Sequence, residues 1–414
     1  MKKIAIQTIG TLGDIRPFVA LGRALRGKGF GVTVATSPHF ERLVVSNDLQ
    51  FEPLPGDVVD LVDTQLGKSA IDGRHKLLAT LRLIGTLRPM FEMLIDAQLA
   101  ATRDADAIVY HPKAFGAPHI AEALGIPAFI ALPLPGLSPT RAFPSPLMPF
   151  RDLGVFNRAS HLLVTRFGDL GFRKLVKRWR RKVLGLSEQS DWLHIAGRPI
   201  PKLYPYSAAV VPVPPDWDSS SIVTGYWFLD DESQWLPPPG LRAFLEGGDR
   251  PVYVGFGSMP AADPEKSTRL ILEALARTGR RGVLARGWGG FRTEALPDWV
   301  HVIDSAPHSW LFPRMDAVVH HGGAGTTAAA LRAGCPTVIC PFIGDQFFWG
   351  HRVERIGAGP KAIPRQKLTA TLLAEAIERA TTEPVFRARA ADISRAIGQE
   401  HGLSKAVEVI AARI

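Results

Sequence analysis

The chain has 414 residues, 46% apolar and 21% charged, which exceeds one ordinary hydrophobic core and leads us to expect two domains. No run approaches the ~18 consecutive apolar residues of a membrane span, and Met1-Lys2-Lys3-Ile4-Ala5-Ile6-Gln7-Thr8 turns polar too early for a secretory leader, so a cytoplasmic location is expected. The net charge of +10 is mostly dispersed Arg without a recognisable nucleic-acid module, and no nucleic-acid partner is expected.

Lys3-Ile4-Ala5-Ile6-Gln7-Thr8 reads as a first strand that runs into Gly10-Thr11-Leu12-Gly13-Asp14. Phe18, Leu21 and Leu25 then recur at helical spacing until Gly27 and Gly29, and Val32 to Thr36 is the second strand. This is a βαβ unit, so its first strand-to-helix turn should lie on the ligand-binding carboxyl edge of a parallel sheet. Asp14 there is a helix cap or a general base at the sheet edge, and the two roles are compatible.

A loop from Glu52 to Ile71 is followed by a long helical stretch from about His75 to Ala101. Asp106 to Tyr110 is a strand, Ala117 to Leu124 a helix ended by Gly125, and Ile126 to Ala131 the next strand, an alternation that argues for a doubly wound α/β sheet. Leu132 to Phe156 interrupts it with six prolines and few charges, and suits an apolar wall for a greasy ligand or a lid over the protein's own helices. A basic helical stretch from about Asn157 to Leu184 contains the one concentrated cluster of charge, Arg173 to Lys182. It reads as a solvated face or as a patch that touches an anionic membrane in passing, with Trp179 at the interface.

Ala208 to Pro212 closes this half as a strand, and Pro212 to Ser221 is the clearest linker, which divides the chain into 1–215 and 216–390. Beyond it, Val252 to Ser258 opens a second α/β set with a Gly-rich turn. Pro264 to Thr278 is its helix, and Arg281 to Ala285, Val300 to Asp304 and Met315 to Val319 are strands. Three amphipathic stretches follow Leu368, and the last, 391–414, is expected to pack back toward the first domain. The two cysteines, Cys335 and Cys340, lie in a helix-to-strand passage where packing is their expected role, and no metal-ligand spacing occurs.

The densest signal is His320-His321-Gly322-Gly323-Ala324-Gly325-Thr326-Thr327, between a strand and the helical run Ala328 to Ala333. Glycines at a strand-to-helix corner let N–H groups converge where the helix dipole is positive, which suits phosphate. Asp345 and Gln346, after the next strand, suit the hydroxyls of the same ligand. Gly323 to Ala328 also fits the dinucleotide fingerprint, with Asp345 downstream as a ribose acid, so an NAD(P)-dependent oxidoreductase is a competing reading. The fingerprint comes late in its domain, however, and His320-His321 has no place in that scheme. A Walker-type NTPase lacks its Lys-Ser/Thr, and a non-catalytic lipid-binding protein is the third reading.

His320 to Thr327, Leu331 to Pro336 and Pro341 to Gly350 resemble the donor signature of nucleotide-sugar glycosyltransferases with the two-domain GT-B fold. The likeness is nearest to the sterol 3-beta-glucosyltransferase branch and the related glycosyltransferases of bacterial secondary metabolism. Gly10 to Pro17, Ala117 to Pro127 and Gly255 to Met259 resemble further motifs of that branch. The resemblance implies two Rossmann-like domains facing each other across a cleft. It implies Asp14 as the base for the acceptor hydroxyl, with Thr11 and Gly13 beside the substrate. His321, Gly322, Gly323, Ala324, Gly325, Thr326 and Thr327 would surround the diphosphate. Ser258, Ala306 and His308 would lie near phosphate and nucleobase, and Asp345 and Gln346 would hold the sugar. The implied reaction inverts the sugar without metal or cofactor. It moves a hexose, glucose first, from a UDP-sugar (or TDP-sugar) donor to a lipophilic hydroxylated acceptor.

Overall fold

The computed structural model describes residues 1–55, 89–170, 173–188, 191–230, 235–257, 264–286 and 296–414. Strand β1 (Lys3–Gln7) leads into helix α1 (Leu12–Gly27), and β2 (Gly31–Thr36), β3 (Gln50–Pro53), β4 (Ala107–Tyr110) and β5 (Ala128–Ala131) follow. After a short antiparallel hairpin of β6 (His194–Ile195) and β7 (Arg198–Pro199), β8 (Lys202–Tyr204) and β9 (Ser221–Val223) complete a sheet ordered β3-β2-β1-β4-β5-β8-β9. Every pairing in it is parallel. The register sets Ile4 beside both Val32 and Ala107. Helices cover both faces, which is why β4 and β5 are buried at every position and read as continuous apolar runs.

The second sheet is also parallel, in the order β12-β11-β10-β13-β14, from β10 (Val252–Gly255), β11 (Gly282–Ala285), β12 (Val300–Ile303), β13 (Ala317–His320) and β14 (Thr337–Ile339). Strand order reverses between β1 and β4 in the first sheet and between β10 and β13 in the second. At such reversals adjacent crossovers leave to opposite faces and open a crevice beyond the carboxyl ends of the strands. Four strand ends are thereby marked before any side chain is considered.

Two expectations are corrected. Ala208 to Val211 is a turn rather than a strand, with Ala208 exposed and Val210 and Val211 buried. Its apolar pair fills the core while the Val210 carbonyl accepts the Arg352 guanidinium at 2.9 Å from Nε. The division at 215/216 also falls short, because β9 lies beyond it and pairs with β8 in the first sheet. The helical stretch placed from His75 is described only over residues 89–100, here α2, and the rest lies outside the described residues.

Helix α3 (Ala117–Leu124) follows β4, and α4 (Asn157–Leu170) and α5 (Arg173–Trp179) follow the proline-rich loop. Helix α6 (Pro264–Thr278) follows β10, α7 (Ala324–Arg332) follows β13, and α8 (Gln346–Ile356) follows β14. Helices α9 (Ala370–Thr382), α10 (Pro384–Gly398) and α11 (Gly402–Ala411) close the chain. Ala406, Val407 and Ile410 of α11 share one apolar cluster with Ile15 and Phe18 of α1. Lys405 Nζ donates to the Val223 carbonyl at 2.7 Å, and Ser207 Oγ to Glu400 at 2.7 Å. The end of the chain is thus built into the first sheet and braces both halves.

Candidate active site

A cleft of about 1850 Å³ opens where the four strand ends converge, with walls from both halves. Asp14 enters it from the first turn of α1. Its Oδ2 accepts the Thr11 backbone N–H at 2.9 Å and the Thr11 hydroxyl at 3.3 Å. Asp14 is therefore the third residue of a capping box, with Thr11 as the N-cap, and it also faces the cleft with its side chain 20% exposed. Thr11 and Gly13 line the cleft beside it.

The other two partners of Asp14 come from the end of β4 and were not singled out in the sequence. Lys113 Nζ donates to Asp14 Oδ2 at 2.9 Å, and His111 Nε2 lies 3.6 Å from Oδ1. The Lys113 backbone N–H donates to His111 Nδ1 at 3.2 Å, which places the ring proton on Nε2, toward the carboxylate. Burial lowers His111 to about 4, so the ring is neutral at pH 7. For Asp14, burial raises the pKa, but Lys113, His111 and the Thr11 hydrogen bond together outweigh it and leave the carboxyl below its ordinary value. Gly10, at φ +144°, permits this approach: a Cβ there would meet Asp14 Oδ2 at 2.1 Å and Lys113 Nζ at 2.7 Å. Lys113→Met removes the ammonium that helps hold Asp14 ionised, and we expect the acid limb of kcat/KM to move to higher pH, read from a pH–rate profile.

The opposite wall is the corner between β13 and α7. His320 is fully buried, with Nδ1 accepting the Gly322 N–H at 2.9 Å, and it belongs to the core. His321 points the other way into the cleft, as alternation along a strand requires. Burial lowers it to about 4, so it too is neutral at pH 7. Gly323 is the N-cap of α7, and with Ala324, Gly325 and Thr326 it lines the cleft where the first N–H groups of a helix have no partner inside the helix.

Two residues of this corner do not reach the cleft. Thr327 is fully buried and turns both its N–H and its hydroxyl, each at 2.9 Å, to the Gly323 carbonyl. Gly322, at φ +93°, packs so closely that a Cβ would meet Ile339 at 2.7 Å and the Gln346 carbonyl at 3.0 Å. It shapes the corner and does not line the cleft.

Asp345 lines the cleft and accepts Trp349 Nε1–H at 3.1 Å. Burial, followed by the negative charge of Asp14 across the gap, raises it to about 6. The folded pKa lies above the unfolded one, so this group's contribution to stability is full below about pH 4 and is lost as pH rises through about 6. Asp345→Asn is accordingly expected to raise the melting temperature at pH 7 in a thermal scan. Gln346 Oε1 accepts the N–H groups of Phe342 at 2.7 Å and Ile343 at 3.1 Å, which fixes the turn that carries Asp345. Ala306 and His308 line the same side, with the His308 ring stacked on Phe312 at 4.3 Å and lowered to about 4 by burial. Ser258 lies outside the described residues.

The end of the cleft in the first domain is apolar, walled by Phe91, Leu94, Tyr110, Phe115, Leu134 and Trp192, with Phe91 and Phe115 edge to face at 5.9 Å. His119 lies at its base and is held by Arg180 Nη1 at 2.9 Å. One end thus suits a greasy molecule and the other an anionic, hydroxylated one, and Asp14 stands between them.

Residues 4–142 match the glycosyltransferase family 28 N-terminal domain, and residues 284–402 match a C-terminal domain described as erythromycin biosynthesis protein CIII-like. Two sterol 3-beta-glucosyltransferases of Arabidopsis thaliana are 39% and 37% identical over 98% of this chain, which covers 64% and 67% of their own lengths. That of Aspergillus fumigatus is 36% identical over 99% of this chain and 29% of its own. The chain therefore spans about two thirds of the plant relatives and under a third of the fungal one. Among solved structures, the kitacinnamycin glycosyltransferase superposes with a TM-score of 0.73 at 20% identity, covering 100% of this chain and 99% of its own. SnogD of Streptomyces nogalater gives 0.67 at 21%, covering 100% of both chains. The two facing parallel sheets are the GT-B fold of those structures, and by its relationship to the plant proteins the chain belongs to the sterol 3-beta-glucosyltransferase family.

Proposed function

We propose that the chain transfers a hexose, glucose first, from a nucleoside diphosphate to the hydroxyl of a lipophilic acceptor, acting in the cytoplasm with inversion and without metal. The observation that carries this reading is the placement of Asp14 at the junction of an apolar chamber with a wall formed by His321 and the α7 N-terminus. The names of the relatives point to a sterol acceptor and glucose. Two similar structures hold thymidine diphosphate, so the assay compares uridine with thymidine donors.

In this reaction the acceptor oxygen bonds to the anomeric carbon as the bond from that carbon to the diphosphate oxygen breaks. The hydroxyl becomes acidic only as the new bond forms, and Asp14, already a carboxylate, takes its proton at that stage. Lys113 and the His111 Nε2–H hold the carboxylate in place. Charge accumulates on the departing diphosphate, where neutral His321 and the first N–H groups of α7 lie. Asp345 accepts from sugar hydroxyls once ionised, so sugar-donor affinity is expected to fall below about pH 6.

Incubation with UDP-glucose or TDP-glucose and a panel of sterols and other hydroxylated lipophiles should release the free nucleoside diphosphate only when an acceptor is present. Failure of every donor and acceptor pair to release it overturns the proposal.

A further inference from the structure

Helix α4 is amphipathic in the inverted sense. Its inward face carries polar groups tied to the loop before it. Asn157 Nδ2 donates to the Arg141 carbonyl at 3.0 Å, the Ser145 N–H donates to Ser160 Oγ at 2.8 Å, and His161 Nε2 pairs with the Phe143 carbonyl at 3.1 Å. Its outward face carries Arg158, Leu162, Leu163, Arg166 and Phe167, whose spacing forms one stripe along the helix. Phe167 is 64% exposed, and the preceding loop adds Val155 at 88% and Phe156 at 68%. Full burial of such a side chain is worth about 1.5–3 kcal/mol, so a contiguous stripe left in water marks a contact surface.

Charge and position identify what covers it. Arg158 and Arg166 interrupt the stripe, and Arg173, Lys174 and Arg178 of α5 add exposed cations beside it. A second copy of the chain would set these cations against their own images across a two-fold axis, which disfavours self-association. An anionic lipid surface satisfies both the apolar and the basic components. The patch is also continuous with the cleft, because Leu147, Val164, Thr165 and Val176 of the same segment line it. Membrane contact was expected at Arg173 to Lys182 with Trp179 at the interface, but Trp179 itself and the cation Arg180 face inward. Arg180 is fully buried and paired with Glu122 at 2.6 Å, and Trp179 is buried with Nε1 donating to Asp96 at 2.8 Å.

We infer that Val155, Phe156 and the Leu162, Leu163 and Phe167 stripe seat the protein on an anionic lipid surface, with the apolar mouth of the cleft against it. The orientation of the mouth rests on the acceptor reading above, whereas attachment is measured without turnover, so the two fail separately.

The test is co-sedimentation with phosphatidylcholine vesicles, alone or mixed with phosphatidylglycerol. The protein should sediment with the mixed vesicles, less so as salt is raised, and Phe156→Ser/Leu163→Ser/Phe167→Ser should reduce binding about tenfold or more. Arg158→Glu/Arg166→Glu should abolish the preference for phosphatidylglycerol. Circular dichroism and nucleoside diphosphate affinity should be unchanged in both variants. Equal sedimentation of native chain and triple variant overturns the inference. So does a native dimer, by light scattering, that the triple variant converts to monomer.

Discussion

An Asp14→Asn variant is expected to turn over about a thousandfold more slowly than the native chain while keeping its nucleotide-donor affinity within a few-fold. Loss of a positioned general base typically costs about 10² to 10⁴ in rate. The amide is nearly isosteric but cannot take the acceptor's proton. Its side-chain oxygen can still accept the Thr11 N–H that Asp14 now accepts at 2.9 Å, so the capping box is largely kept. The variant does lose its ion pair with Lys113, which is 45% exposed, and solvent screening keeps that loss small. The measurements are steady-state kinetics, calorimetric titration with the nucleoside diphosphate, and a thermal melt. A collapsed melting temperature with normal rate per folded molecule would show that the residue is only a cap. Unchanged kinetics would remove it from the reaction.

How far the site could be read from the sequence depended on where its chemistry is written. Parallel strands covered on both faces spell continuous apolar runs and end in Gly or Pro corners, so β1, β4, β5, β10 and β13 and the His321 to Thr326 corner were visible from local pattern alone. His111 and Lys113 were not. His111-Pro112-Lys113 looks like any polar loop, and only the pairing of β4 with β1 brings it to Asp14, 97 residues earlier for His111. The strand-order reversal could have supplied that signal, since both strands beside it contribute residues to the crevice.

The inward turn of Trp179 and Arg180 in the basic cluster was hidden for the complementary reason. The cluster's charge count was plain, but Glu122, the residue that draws Arg180 inside, lies in a different helix. Thr327 illustrates a finer limit. It directly follows Gly323 to Thr326, which line the cleft, and one step further along the helix carries its groups back to the Gly323 carbonyl.

Gly323→Ala is the smallest change expected to disable the diphosphate wall. The backbone there, at φ −61° and ψ 143°, is ordinary for any residue, and Ala is the poorer N-cap by about 1 kcal/mol, a loss the packed helix should survive. The added methyl would, however, lie 2.5 Å from His321 Nε2. The imidazole is the far end of a side chain that can turn, so the methyl is expected to displace the ring from its place beside the diphosphate wall. Loss of one preorganised donor to a developing oxyanion costs about 10² to 10³ in rate, and kcat/KM for the sugar donor is expected to fall by that amount. His321→Ala should fall comparably. If the methyl acts through the imidazole, Gly323→Ala/His321→Ala will be no worse than His321→Ala alone, because there is then no ring left to displace. Additive losses in that cycle would mean that the methyl blocks the diphosphate directly and that His321 acts separately. A full-rate His321→Ala would take the imidazole out of the leaving-group site altogether.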